Sequence, residues 1–146
     1  MSDDRTTAFG MWRYGNDFRE AAIAVAERHN VRVFMPYYFL LGQSIELSLK
    51  AFLMGREVPL DDLRKKFRHD LKKLLTEARR RRLGLEVKLD KIQCGVIELL
   101  NVEYAERRFQ YIQTGSMIIP EPEFAAEAAD RLSIGLKEYC RKATWP

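Results

Sequence analysis

From Pro36 to Met54 the chain is apolar on most sides of a helical projection: Tyr38, Leu41, Ile45, Leu49 and Phe52 share one face, and Leu40 and Leu47 lie elsewhere. A helix with so little polar surface has to be enclosed by other helices, so this segment dictates a bundle built around it. Pro36 suits the first turn, where its missing N–H removes no hydrogen bond. Ser44, Ser48, Ala51 and Gly55 recur at helical spacing and form a small-residue stripe on which a neighbouring helix can approach closely. The longest apolar stretch, Phe34 to Gly42, is followed by Gln43, Glu46 and Lys50. A membrane-spanning helix needs about 20 apolar residues, so no membrane crossing is expected.

The same period runs through the rest of the chain. A first helix should begin between Thr7 and Asp17 and stop near Asn30. After a turn containing Gly55 and Pro59, a short helix around Asp61 to Lys66 leads to a third from about Asp70 to Arg82, with Asp70 as N-cap. A fourth spans about Leu89 to Ile112, with Ile92, Val96, Leu99 and Leu100 facing the core. Pro120 and Pro122 precede the last, Phe124 to Lys142, whose inner positions are Ala125, Ala128, Leu132 and Leu136. No alternating β pattern occurs. The expected fold is all-α, an up-and-down bundle of four long helices plus one or two short ones, with residues 1–146 as one domain. With 146 residues, 47% of them hydrophobic, a core can form without metal or disulfide staples. Two cysteines, Cys94 and Cys140, and an N-terminus without a basic-then-apolar leader fit a reduced, cytoplasmic setting.

The net charge of +4 is unevenly placed. Between Arg64 and Arg82 stand ten basic and two acidic residues, while the remaining chain has an acidic excess. Such a field attracts phosphate backbones or an acidic partner, and Lys72, Lys73, Arg79, Arg80, Arg81 and Arg82 form its exposed surface. The same residues also read as the wet face and cationic C-terminal end of a helix.

Several site chemistries are excluded by inventory. Neither His29 nor His69 has a glutamate three positions earlier, as a di-iron bundle requires, and two histidines and two distant cysteines do not make a zinc site. Gly-rich phosphate loops are absent. Neither a metal nor a cofactor is expected. The informative polar residues are Gln43, Glu46 and Lys50, at i, i+3 and i+7 on the most apolar helix. Glu46 and Lys50 stand in the favourable order for a helical ion pair. They read either as a local pair at the core rim or as the lining of a pocket, to which His69 and Asp70 at the start of the third helix are assigned. At the end of the fourth helix Glu103 and Arg107 extend the core stripe, with Tyr104, Arg108 and Tyr111 on an adjacent flank. Either that end enters solvent or a partner chain covers it.

The order and spacing of FLLGQSIELSLKAFLMG (Phe39 to Gly55), RHDLKKLLTEA (Arg68 to Ala78) and YAERRFQY (Tyr104 to Tyr111) resemble the HEPN superfamily of helical-bundle domains over roughly residues 15–140. The resemblance implies homodimerisation and work in toxin–antitoxin, antiviral or RNA-processing systems. Many members are metal-independent endoribonucleases carrying an R-x4-6-H motif near the end of a long helix. Cleavage by 2′-hydroxyl attack needs a proton-moving group and a cation to hold phosphate charge. Arg107 and Arg108 match the arginine by position, but Gln113 stands where the histidine is expected, and an amide cannot shuttle a proton near neutral pH.

The resemblance therefore implies a homodimeric, non-catalytic binding or accessory module for RNA, a nucleotide or an acidic protein. Arg107, Arg108, Tyr111 and Gln113 would contact ligand or phosphate. The alternative is an endoribonuclease using Arg64 and His69, which make a literal R-x4-H in the basic connector. The non-catalytic reading depends on no imidazole lying beside Arg107 and Arg108; His29 or His69 brought there by the fold would remove its basis.

Overall fold

The computed structural model describes residues 5–29, 34–111 and 115–146. It is all-helical, with no strand among the described residues. Among the described residues six α-helices follow in order: α1 (Ala8–His29), α2 (Phe34–Gly55), α3 (Leu60–Asp62), α4 (Leu71–Arg80), α5 (Lys91–Tyr104) and α6 (Pro122–Thr144). α3 widens directly into a π-helical turn, Leu63–Phe67, and a 3-10 turn, Leu83–Leu85, follows α4. Three helices have 22 or 23 residues, α5 has 14 and α4 has 10, so the lengths are graded rather than divided into four long and two short. Asn30, the expected stop of the first helix, lies outside the described residues.

α2 is the buried axis. Tyr38, Leu41, Ile45, Leu49 and Phe52 are all at most 2% exposed, as an apolar helix in the centre of a bundle must be. The small-residue stripe works as expected. A Cβ on Gly15 of α1 would press on the backbone of Ser44 and Ser48, and one on Gly55 would press on the Tyr139 ring of α6. α1 and α6 are joined across the core by the Trp12 indole N–H, which donates to the Ser133 carbonyl at 2.7 Å, and by the Arg19–Asp130 ion pair at 2.9 Å.

Helix ends follow local chemistry. Asp70 caps α4 by accepting from the Lys73 N–H at 3.0 Å. Asp90 and Gln93 form a reciprocal capping box at α5. Pro122 opens α6, where it lacks only a donor that would be unpaired.

α5 departs from the expectation at both ends. It stops at Tyr104 instead of reaching Ile112, and Arg107 takes a left-handed backbone, φ 57°. The break lets Phe109 turn inward to stack on Tyr38, ring centroids 5.9 Å apart, which a continuous helix would not allow. Val96 and Leu100 are buried as expected, together with Gln93, Ile97, Asn101 and Tyr104, whereas Ile92 is 65% exposed and Leu99 only half-buried. Several apolar residues lie on both sides of this helix, so periodicity alone placed Val96 and Leu100 inside but misjudged Ile92 and Leu99. Glu103 is neither solvated nor left for a partner: it is buried, accepts from the Ile118 N–H at 3.3 Å and faces Arg108 Nε at 3.5 Å.

Gly42 lets α5 approach α2, because a methyl group built there would overlap the Tyr104 ring. The variant Gly42→Ala should lose about 1–3 kcal/mol, the usual cost of overpacking a tight contact. Urea denaturation measures it, and an unchanged midpoint would contradict the packing described.

Candidate functional site around His69 and Arg107

The polar stripe of α2 is the foundation of a network. Glu46 is 3% exposed, and its carboxylate accepts from Lys50 Nζ at 2.8 Å, the Tyr104 hydroxyl at 2.7 Å and His69 Nδ1 at 2.9 Å. Gln43 Nε2 donates to the Tyr104 oxygen at 2.7 Å. Burial first, and then the Glu46 charge, raise the Tyr104 hydroxyl far above its ordinary pKa, so it remains a donor. A carboxylate in this position would be costly without partners, and it has three donors. The Glu46–Lys50 pair is therefore an enclosed anchor instead of a rim contact.

The connector between α3 and α4 delivers His69. The π turn ends at Arg68, whose backbone has φ 48° and ψ −115°, a conformation that non-glycine residues rarely adopt. Lys50 Nζ donates to the Arg68 carbonyl at 2.6 Å and holds this bend against α2. On its far side Asp70 accepts from Asn101 Nδ2 at 3.0 Å, while Asn101 Oδ1 accepts the Leu71 N–H at 2.7 Å. His69 is thus gripped from α2 and, through its neighbours, from α5.

The ring contact fixes its tautomer. An ionised carboxylate only accepts, so Nδ1 carries the proton toward Glu46. Nε2 is left as a base in the neutral ring or as a second donor in the imidazolium. The side chain is 46% exposed, so this edge is open to a ligand.

Arg107 borders the same space as His69. The two line one narrow cleft with Phe39, Gln43, Tyr104, Phe109 and Gln110. Its open volume is about 10 Å³, room for roughly one water. Arg107 carries its left-handed turn where it lines this cleft, two residues before Phe109.

Other expected site residues fall elsewhere. Arg108 points inward, with Nε and Nη2 buried without a hydrogen-bond partner and Nε 3.5 Å from Glu103, and it is Arg107 that lines the cleft. Tyr111 is 57% exposed beside it, its N–H donating to the Arg107 carbonyl at 3.2 Å. Arg64 lines a separate groove with Tyr14, Phe18 and Lys50, so the literal Arg64–His69 spacing does not bring those two side chains into one cleft. Gln113 lies outside the described residues. Cys140 is buried and its thiol is pushed up to about 12 by that burial, which suits inert packing.

The basic surface is real but partly neutralised. Lys65 and Lys66 pair with Asp61 and Asp62. Arg80 and Arg81 pair with Glu77, and the hydrogen bond from Arg80 is the main cause holding that carboxyl down at about 2. Lys72, Arg79 and Arg82 are exposed on or just after α4. A groove of about 550 Å³ between the π turn and α4 is lined by Lys66, Lys72, Lys73 and Arg81 and reaches Asp70, next to His69.

Tyr104 and Asn101 escaped the sequence reading as site residues. Their signal was present: at i+4 and i+7 from Ile97 they put polar atoms on an otherwise apolar inner stripe. No family model, curated protein or solved structure matches this chain.

Replacing Glu46 by Gln keeps the shape but strands the Lys50 ammonium. The variant should lose about 3–5 kcal/mol, the cost of halving a buried pair. Chemical denaturation checks this, and a loss within about 0.5 kcal/mol, as at an ordinary surface site, would contradict it.

Proposed function

We propose that this chain is a HEPN-like bundle that binds single-stranded RNA, with Arg107 and His69 holding a backbone phosphate. The observation that carries the proposal is that these two side chains line one cleft. Arginine presents a planar fork of donors to phosphate oxygens, and a second donor comes from His69 Nε2 when the ring is protonated. Tyr111, exposed and hydrogen-bonded to the Arg107 carbonyl, offers a face for an unstacked base. Lys72 and Lys73 extend the positive surface along the groove beside Asp70.

Affinity for a labelled single strand should fall steeply with salt as bound lysines and arginines release counterions. Arg107→Ala should weaken binding and flatten the salt slope by about one unit. Tyr111→Ala should cost about 1–3 kcal/mol of stacking. Absence of binding at low salt, or binding indifferent to both variants, would overturn the proposal.

A second reading, cleavage of the bound strand, is favoured by the His69–Glu46 contact at 2.9 Å. With Nδ1 committed to the carboxylate, Nε2 can take the proton of a 2′-hydroxyl. The new P–O bond forms as the bond to the 5′-oxygen breaks, and the imidazolium returns its proton to that leaving oxygen. Arg107, in place of Arg64, would stabilise the charge on the phosphate. Under this reading RNA is cut in the presence of chelator, His69→Ala abolishes cutting and Arg64→Ala preserves it. Intact RNA across varied sequences would leave binding alone.

A further inference from the structure

We propose that a groove enclosed by α1, α2 and the segment from α3 into the π turn binds a small carboxylic acid with an apolar body, at a site separate from the Arg107–His69 cleft. Met11, Tyr14 and Phe18 stand at i, i+3 and i+7 of α1 and so share one side of that helix. Leu47 of α2, Leu60 of α3 and Leu63 of the π turn line the same space. Its open volume is about 320 Å³, within the range of about 300–1,000 Å³ usual for small-molecule sites. Met11 and Leu63 are buried by the chain's own packing, but Phe18, Leu47 and Leu60 are only half-buried and Tyr14 is 68% exposed. The body of a ligand would take this remaining apolar surface out of water.

Charge selects the polar end of the ligand. Lys50 and Arg64 line the groove, and among the described residues no carboxylate does. Two larger grooves carry both signs: Asp62, Asp70 and Glu77 line the one beside α4, and Glu86, Glu127 and Asp130 the one beside α6. Lys50 is 7% exposed, and its ammonium is held in place by bonds to Glu46 at 2.8 Å and to the Arg68 carbonyl at 2.6 Å. An ammonium has three N–H donors, so one remains for a ligand oxygen. Glu46 offsets the Lys50 charge, and discrimination in favour of an anion therefore falls chiefly on Arg64, whose planar fork matches the two oxygens of a carboxylate. A cationic ligand would meet both side chains with no acid in the lining to receive it.

Octanoate, octanol and octylamine share one apolar tail and differ in the charge of the head, so they test the proposal on the full chain. In methyl-detected NMR titrations octanoate should shift Met11, Leu47, Leu60 and Leu63 together and saturably. Octanol and octylamine should bind at least about tenfold more weakly, the usual effect of losing a charge-assisted hydrogen bond. Acetate, which has no tail, should leave these methyl groups unmoved. Arg64 is exposed, so Arg64→Ala should fold normally by circular dichroism and bind octanoate about tenfold more weakly. Arg79→Ala removes an exposed cation outside the groove and should bind octanoate as the unaltered chain does. Octanoate that leaves the four methyl-bearing residues unmoved overturns the proposal. So does octylamine that binds as tightly, or an Arg64→Ala chain that loses no more affinity than Arg79→Ala.

Discussion

The Glu46 carboxylate is the constraint around which the other polar residues are placed. It lies on the most apolar helix, away from water, and an uncompensated charge there would cost several kcal/mol. Its three donors come from three parts of the chain: Lys50 from the next turn of α2, His69 from the connector before α4, and Tyr104 from the end of α5. Satisfying one carboxylate therefore fixes the relative placement of these segments. It also sets the tautomer of the histidine that borders the cleft.

Part of the backbone irregularity falls on the segments that form the cleft, although left-handed Glu57 and Arg82 stand elsewhere. The π turn, the rare conformation at Arg68 and the left-handed Arg107 stand on the segments that carry the two cleft side chains. Such conformations cost roughly 1–3 kcal/mol each and persist where surrounding contacts hold them. Lys50 supplies one such hold by binding the Arg68 carbonyl, and the stacking of Phe109 on Tyr38 supplies the other. His69 directly follows one of these irregular residues, and Arg107 is itself another.

The helical architecture was legible because it rests on local rules: apolar period, the Asp70 cap, prolines at helix starts, and small residues where α1 and α6 cross α2. Gln43, Glu46 and Lys50 stood out because polar residues on an apolar helix need partners, and His69 proved to be one of them. Illegible features depend on distant contacts. The end of α5 is set by Phe109 reaching Tyr38, a pairing no window of sequence contains. The choice between Arg107 and Arg108 follows from that break, which turns one outward and the other toward Glu103. Ile92 was misjudged because α5 is apolar on two sides, and only its packing partners reveal which is inner.

The central claim is that Glu46 holds His69 with Nδ1 protonated and Nε2 presented beside Arg107. Long-range proton–nitrogen correlation NMR of the full chain tests it, recorded with and without a short single-stranded RNA. Neutral His69 should show a protonated Nδ1 and an unprotonated Nε2, and RNA should shift Nε2 and the Arg107 guanidinium together. A ring protonated only at Nε2, or RNA that binds while leaving both groups unmoved, would contradict the account.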